Sequence, residues 1–319
     1  MNSLIVITGP TGVGKTELCL KIAEHYGIDI INADSRQIYA EIPIGTAAPT
    51  AQQMQRVRHY FVGTHHIGDY YSASMFECEV LQLIDSMGHE SKNIVLLTGG
   101  SMMYIDAVCN GIDDIPTISE DIRQEMKQRL KTEGLDNLVA ELKVLDPEYW
   151  NIVDRNNPRR VVHALEICHQ TGRTYTSFRM GKKKSRPFNI IKIGLTRDKV
   201  LKVKRGQVIM DHSELYERIN QRVLSMVEDG LINEARCMLP HRNDKALNTI
   251  GYKELFLHLD GKITLDEAIR QIQSDSREYA RKQLTWFKKD KSITWFHPDQ
   301  TDEIIKHIDA NIQKKTTSN

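Results

Sequence analysis

The sequence predicts an α/β protein: a parallel sheet flanked by helices and interrupted by an all-helical insertion domain. Three observations predict it. Short apolar runs alternate with helix-period segments over the first third of the chain, the rhythm of βαβ units whose strands are buried on both faces. A glycine-rich octapeptide, Gly9-Pro10-Thr11-Gly12-Val13-Gly14-Lys15-Thr16, joins the first apolar run to the first helix. From about Asp113 to Arg186 the strand-like runs stop and only helical patterning remains. The expected domains are therefore a discontinuous core, 1–112 with 187–319, and an insertion, 113–186.

Leu4-Ile5-Val6-Ile7 is the first strand, and Glu17-Leu18-Cys19-Leu20-Lys21-Ile22-Ala23 continues the loop as a helix. The loop matches G-x-x-x-x-G-K-[ST] at every fixed position, which chance supplies on the order of once in a hundred chains of this length. Strand, glycine loop and helix N-terminus is the context that makes the pattern a P-loop, so the core sheet is expected to be P-loop NTPase-like. Its glycines turn backbone N–H groups around phosphate oxygens, and the helix dipole adds positive potential. In that reading Gly9 to Gly14 form a phosphate cradle, Lys15 reaches the outer phosphates and the Thr16 hydroxyl ligates Mg²⁺. The motif leaves the phosphate compound open.

Ile28-Asp29-Ile30-Ile31-Asn32-Ala33 reads as a second strand ending at Asp34. Ser74-Met75-Phe76-Glu77 has the form of a capping box, opening a helix with Phe76, Val80, Leu83, Ile84 and Met87 on its apolar side. Ile94-Val95-Leu96-Leu97-Thr98 is a third strand, stopped by Gly99-Gly100. Ligands of such sheets gather at the carboxyl ends of the strands, so the P-loop, Asp34 and Gly99-Gly100-Ser101 should converge. Asp34 has three readings on position alone: a Mg²⁺ ligand, a general base, or a solvated loop or N-cap aspartate. No Walker B acid follows the third strand, which argues against a motor or switch NTPase.

In the insertion, Thr117-Ile118-Ser119-Glu120 caps a helix carrying Ile122, Met126 and Leu130. Leu135 to Leu145 is a second helix, stopped by Asp146-Pro147. Asn157-Pro158 starts a third, with Asn as N-cap and Pro at the first helical position, and Gly172 ends it. The sheet resumes at Phe188 to Leu195, a long helix runs from Leu265 to about Lys288, and Ile293-Thr294-Trp295-Phe296 is a last short strand. No internal repeat is visible, and low complexity is confined to the polar tail, 314–319.

Across its 319 residues, a hydrophobic fraction of 40% and a charged fraction of 27% are ordinary for a soluble enzyme. A net charge of +1 excludes a strongly basic protein but not a local basic channel. The five cysteines, Cys19, Cys78, Cys109, Cys168 and Cys237, are odd in number and never in C-x-x-C spacing. That argues against a disulfide framework or zinc site and for a reducing compartment. Neither a signal-peptide pattern nor a membrane-length apolar run is present, so a cytoplasmic protein without a membrane partner is expected. One site per chain suits a monomer.

Basic residues cluster at Arg155, Arg159, Arg160 and His163, at Lys182-Lys183-Lys184-Ser185-Arg186, and at Arg277, Arg281 and Lys282 on the long helix. Basic runs are commonly solvated faces. Interleaved with Tyr279, Trp286 and Phe287 they also suit nucleic acid, where arginines meet phosphates and rings stack on unpaired bases. Tyr279, Leu284 and Trp286 equally suit a core.

Taken together, several segments are diagnostic: the P-loop; Asp34-Ser35-Arg36-Gln37-Ile38-Tyr39; Ile44-Gly45-Thr46-Ala47 with Pro49; and His59-Tyr60-Phe61-Val62-Gly63. They are followed by Tyr71-Ser72-Ala73, Gly99-Gly100-Ser101-Met102-Met103-Tyr104, Asn157-Pro158-Arg159-Arg160 and Leu215-Tyr216-Glu217-Arg218-Ile219. Thr249-Ile250-Gly251-Tyr252-Lys253-Glu254 and Tyr279-Ala280-Arg281-Lys282-Gln283-Leu284-Thr285-Trp286-Phe287 complete the set. In this order they resemble the tRNA dimethylallyltransferases, or tRNA isopentenyltransferases (IPP transferases), over nearly the whole chain.

The resemblance implies transfer of a dimethylallyl group from dimethylallyl diphosphate to N6 of adenosine 37 in tRNAs reading codons beginning with U. It implies Asp34 as the base, with the P-loop, Lys15, Thr16 and Mg²⁺ holding the diphosphate. Ser35, Arg36 and Gln37 would lie at the edges of the target base, and the insertion would clamp tRNA. Ser101, Arg123, the stretch Arg159, Arg160, Val161, Val162, His163 and the stretch Asn248, Thr249, Ile250, Gly251, Tyr252, Lys253 match tRNA-contact positions of the family.

Three departures stand out. Ser101 replaces the usual Thr, and Arg281-Lys282 reverses the usual order. About a dozen extra residues, 199–210, precede the Leu-Tyr-Glu-Arg-Ile segment, so that Ser213 falls where a diphosphate-binding arginine is expected. Arg197 and Arg205 are the candidates to replace it. A P-loop kinase of a small metabolite, or an RNA-binding protein with a nucleotide switch, are the rival readings.

Overall fold

The computed structural model describes residues 3–87, 94–179, 181, 183–204 and 207–316. Two compact units emerge, Met1–Asn110 with Arg186–Asn319, and Gly111–Ser185.

The larger unit opens with β1 (Ser3–Thr8), α1 (Lys15–Tyr26), β2 (Ile30–Asn32), α2 (Pro43–Thr46), α3 (Ala51–Arg56) and β3 (His59–Tyr60). α4 (Ala73–Met87), β4 (Ile94–Gly99) and α5 (Met102–Asn110) follow before the chain leaves the unit. All neighbours in the sheet β3-β2-β4-β1 are parallel. The fully apolar strands have a physical reason: both faces are covered. Ile5 and Ile7 pack with Leu18, Ile22 and Ile304. Leu4 and Val6, one residue out of phase, pack with Phe76, Val80 and Val108. Register decides where the loops emerge: Thr8 pairs with Gly99, and Asn32 with Thr98. The carboxyl ends of β1, β2 and β4 are thus level.

The cap of α4 differs from its sequence signature. Ser72, not Ser74, caps it, its Oγ accepting from Met75 N at 3.2 Å, because helical geometry already begins at Ala73. Glu77 of the supposed box is buried and pairs with Arg186 at 2.7 Å. The apolar stripe holds, with Phe76, Val80 and Ile84 in the core.

The smaller unit, described by itself, contains α6 (Glu120–Thr132), α7 (Leu135–Leu145), α8 (Pro147–Ile152) and α9 (Pro158–Thr171). Ser119, rather than Thr117, caps α6; Asn157 caps α9 and Gly172 ends it in the left-handed conformation. Met126, Leu138, Leu142, Leu165 and Ile167 form the core of this unit.

The chain then returns to the larger unit with β5 (Asn189–Leu195), which extends the sheet in parallel beside β1. Residues 199–210 are mostly an antiparallel hairpin, β6 (Lys199–Lys204) with β7 (Gln207–Asp211). α10 (Ser213–Glu228), α11 (Leu231–Cys237), α12 (Tyr252–Leu259) and α13 (Leu265–Phe287) come next, then β8 (Thr294–Phe296) and α14 (Thr301–Thr316). β8 closes the order β3-β2-β4-β1-β5-β8. α14, which the polar end of the chain concealed, packs Ile304 and Ile308 onto the α1 side of the sheet. A separate core of Ile38, Ile42, Val223, Leu231, Tyr252, Leu255 and Ile272 ties α10–α13 to the segment after β2. On α13 the ambiguous residues separate: Leu284 is buried, whereas Tyr279 and Trp286 stay 36% and 40% exposed. Among the described residues no helix is long and apolar enough to cross a membrane.

The level strand ends require Gly99, where a Cβ would run into the backbone of Ala33. Gly99→Ala should cost about 1–3 kcal/mol of stability by overpacking. Urea unfolding that showed no loss would disprove this close approach.

Candidate active site

The P-loop forms because its glycines accept conformations closed to other residues: Gly12 has φ +77° and Gly14, just before α1, φ +110°. A side chain at Gly12 would also meet Ile219 of α10 at 2.8 Å. Lys15 folds over the loop, its Nζ donating to Gly9 O at 2.8 Å and to Pro10 O at 2.9 Å. Burial and then the Arg222 charge lower its pKa to about 8, with Asp34 and Cys19 acting the other way. Thr16 is exposed on the first turn of α1, and its hydroxyl makes no hydrogen bond among the described residues. Beneath it, burial pushes the Cys19 thiol up to about 12, consistent with an inert packing role.

Asp34 emerges from β2 into the same region. Its Oδ1 accepts from Arg36 N at 2.9 Å and from Gln37 N at 3.4 Å, an Asx turn that fixes the carboxylate. Oδ2 stays free of hydrogen bonds among the described residues and lies toward Gly100. The Asp34 charge is felt by Lys15 and Arg222. Tyr279 feels it as well: although its side chain is partly exposed, partial desolvation of the hydroxyl end and then Asp34 raise that phenol. Tyr104 is raised chiefly by burial, with Asp34 among its lesser neighbours.

Ser101 locks the neighbouring strand end to this turn. Its Oγ accepts from Ser35 N at 2.7 Å and donates to Ser35 Oγ at 3.0 Å. The replacement of Thr by Ser thus keeps the hydroxyl in use. Gln283 of α13 makes a second lock. Its Oε1 accepts from Thr11 N at 2.8 Å, while its Nε2 donates to Gly100 O at 2.9 Å. The P-loop, Asp34 and Gly99-Gly100-Ser101 therefore do converge. Gln283 carried no role on sequence grounds, yet a signal was there: it shares the buried stripe with Ala280, Leu284 and Phe287, where a glutamine needs partners.

Of the two candidate arginines only Arg197 lies among the described residues. Ser213 is exposed at the start of α10, its N–H donating to Asp211 Oδ1. Arg197 is buried, donates from Nε to Val13 O at 2.8 Å, and is held by Glu214 and Asp299. It braces the loop from behind, and its charge is already countered. Arg205 lies outside the described residues, as does Lys182. Two arginines of α10 reach the loop instead. Arg218 donates to Gly12 O at 3.1 Å. Arg222 donates to Thr11 Oγ1 at 3.1 Å and to Thr46 O at 3.3 Å, and burial lowers its pKa. Their i, i+4 spacing placed them on one helix face; only the fold shows what that face meets.

The remaining expected residues divide. Gln37 is half-buried and held by α2, while Arg36 flanks Asp34. Asn248 and Lys253 are exposed and Thr249 and Ile250 half-buried, but Gly251 and Tyr252 are interior. In the smaller unit Arg159, Arg160 and His163 are exposed on the first turns of α9, Val162 is half-buried and Val161 is core. Arg123 lies 3.9 Å from Glu120 on α6. On α13, Arg281 and Lys282 are exposed, the latter paired with Glu278 at 2.7 Å.

A glycine-rich loop of P-loop sequence at the end of a parallel sheet, faced by the Asp34 carboxylate, defines a class: an α/β protein of the P-loop kind. Comparison narrows it. A family model described as IPP transferase matches residues 37–290. tRNA dimethylallyltransferase 1 of Bacteroides fragilis is 56% identical over 312 residues, 98% of this chain and 99% of that one. Its namesake from Phocaeicola vulgatus is 57% identical over 307 residues, 96% and 98% of the two chains. Among solved structures, the full-length tRNA isopentenylpyrophosphate transferase of Bacillus halodurans aligns with a TM-score of 0.69 at 34% identity, over 99% of both chains. A eukaryotic dimethylallyltransferase acting on tRNA aligns with a TM-score of 0.73 at 25% identity, over 90% of this chain and 70% of that one. The chain belongs to the IPP transferase family. The expected fold class and the resemblance are borne out, and neither rival reading is supported.

The lowered pKa of Lys15 has a measurable consequence. An anion at the loop favours its protonated form, so binding should draw in protons between about pH 8, its free value, and the ordinary lysine range. Sulfate, which does not titrate there, should bind with proton uptake at about pH 8.5 and more weakly as pH rises. Calorimetry in buffers of different ionisation heat reads this. Lys15→Met should abolish the uptake, and its absence from the wild type would refute the assignment.

Proposed function

We propose that the protein transfers a dimethylallyl group from dimethylallyl diphosphate to N6 of adenosine 37 in tRNAs reading codons beginning with U, acting as a cytoplasmic monomer. The observation that carries this reading is the placement of Asp34, fixed by its Asx turn with Oδ2 free, at the strand ends beside the phosphate cradle. Family membership supplies the reaction class.

N6 of adenine is a weak nucleophile because its lone pair is delocalised into the purine. As the N6–C1 bond forms, the C1–O bond breaks and diphosphate leaves with the electron pair. Asp34 Oδ2 takes the N6 proton. The base reaches it by leaving the anticodon loop, with Ser35, Arg36 and Gln37 at its edges. The P-loop amides, Lys15 and Arg222 meet the charge that develops on the diphosphate. Arg222 thereby takes the place assigned by family pattern to the residue now at Ser213.

Magnesium fits this site. Among the described residues no group of three or more His, Cys, Asp or Glu side chains could hold a metal by themselves. A free hydroxyl at Thr16, with substrate phosphate oxygens and water, is the kind of shell Mg²⁺ accepts. When bound, the ion would neutralise charge on the leaving diphosphate. Tyr279 and Trp286, exposed beside Arg281 and Lys282, suit stacking and phosphate contact with RNA. The exposed Arg159, Arg160 and His163 give the smaller unit the same character, in keeping with a tRNA clamp.

Asp34→Ala should keep tRNA affinity near wild type and lower turnover by about 10²–10⁴-fold. Filter binding and nucleoside mass spectrometry measure the two, and near-wild-type turnover would sink the base assignment. Arg222→Ala should raise the KM for dimethylallyl diphosphate about tenfold or more while leaving that for tRNA little changed. The reverse pattern would move Arg222 to the RNA side.

A further inference from the structure

We propose that Tyr252 and Glu234 form an internal brace that positions Gln37 and Arg222, making Tyr252 a positioning residue rather than a tRNA contact. The proposal rests on the reading above.

Tyr252 is fully buried, although its segment matches a tRNA-contact stretch. Its hydroxyl donates to Glu234 Oε1 at 2.5 Å. Both oxygens of that carboxylate are spent on one target: Oε2 accepts from Ile44 N and Oε1 from Gly45 N, each at 2.8 Å. These are the amides at the start of α2, which has no side-chain cap of its own. Glu234 therefore holds a four-residue helix that is too short to be stable by itself.

The other end of α2 faces the site. Gln37 Nε2 donates to Thr46 O and to Ala47 O, both at 3.0 Å. With both amide hydrogens used, its Oε1 is left as an acceptor. Arg222 donates to Thr46 O from one nitrogen and to Thr11 Oγ1 of the P-loop from another. Two side chains at opposite parts of the site, one beside Asp34 and one at the P-loop, thus share one acceptor, the Thr46 carbonyl. Gly45 leaves room for the arrangement, since a Cβ there would meet the Tyr252 hydroxyl. A carboxylate is required at position 234: an amide has only one acceptor oxygen and would turn N–H hydrogens toward one of the two backbone N–H groups.

Tyr252→Phe removes the hydroxyl and keeps the buried ring. It should raise the KM for dimethylallyl diphosphate about tenfold and lower kcat about as much, the scale of losing a hydrogen bond to a charged group. Glu234→Gln should do at least as much. The double variant should be no worse than Glu234→Gln alone, because both act through α2. A purely structural role would lower the melting temperature and the active fraction but leave KM unchanged. Wild-type KM and kcat in both single variants would overturn the brace. Calorimetric binding of inorganic diphosphate separates this outcome from failure of the proposed reaction, since it needs no transfer. Weaker diphosphate binding by Tyr252→Phe supports the brace even if tRNA is not the acceptor, and unchanged binding counts against it.

Discussion

The site depends on one constraint, the level register of the parallel strands. Because Thr8 stands opposite Gly99 and Asn32 opposite Thr98, the loops after β1, β2 and β4 leave the sheet at a common edge. Their backbones come so close that residue 99 must be glycine. Ser101 and Gln283 then stitch the loops together at the level of single hydrogen bonds. With these ties in place, the P-loop and the Asp34 carboxylate are held together at one edge of the sheet.

The site's electrostatics follow from that crowding. Burial lowers the pKa of both Lys15 and Arg222, the Arg222 charge lowers Lys15 further, and Asp34 partly compensates each. Such a cluster is poorly satisfied alone and well satisfied once a di-anionic group enters. Arg197 lies near the same loop yet adds little to its charge, because Glu214 and Asp299 neutralise it and its Nε serves the Val13 carbonyl. What counts is which guanidinium retains uncompensated charge at the loop.

Local chemistry was legible wherever the determining residues are neighbours in the chain. The P-loop, the Asn157-Pro158 start and Gly172 end of α9, and the span of α7 could be read directly. The capping serines were harder, since Ser72 and Ser74, or Thr117 and Ser119, offer equivalent hydroxyls two residues apart. Packing of the helix against its neighbours selects between them. The helix α14 was hidden because its polar face and its terminal position resemble a solvated tail, and its two buried isoleucines gain meaning only against the sheet.

The sequence by itself determined the glycine loop, the position of Asp34 at a strand end and the family, because glycine conformation, strand ends and motif order are properties of contiguous residues. Tertiary structure alone decided that Arg222 meets the cradle, that Gln283 links Thr11 to Gly100 from 272 residues away, and that Tyr252 turns inward to Glu234 instead of outward. Each of these rests on a hydrogen bond between elements that only the folded sheet and its helices bring together.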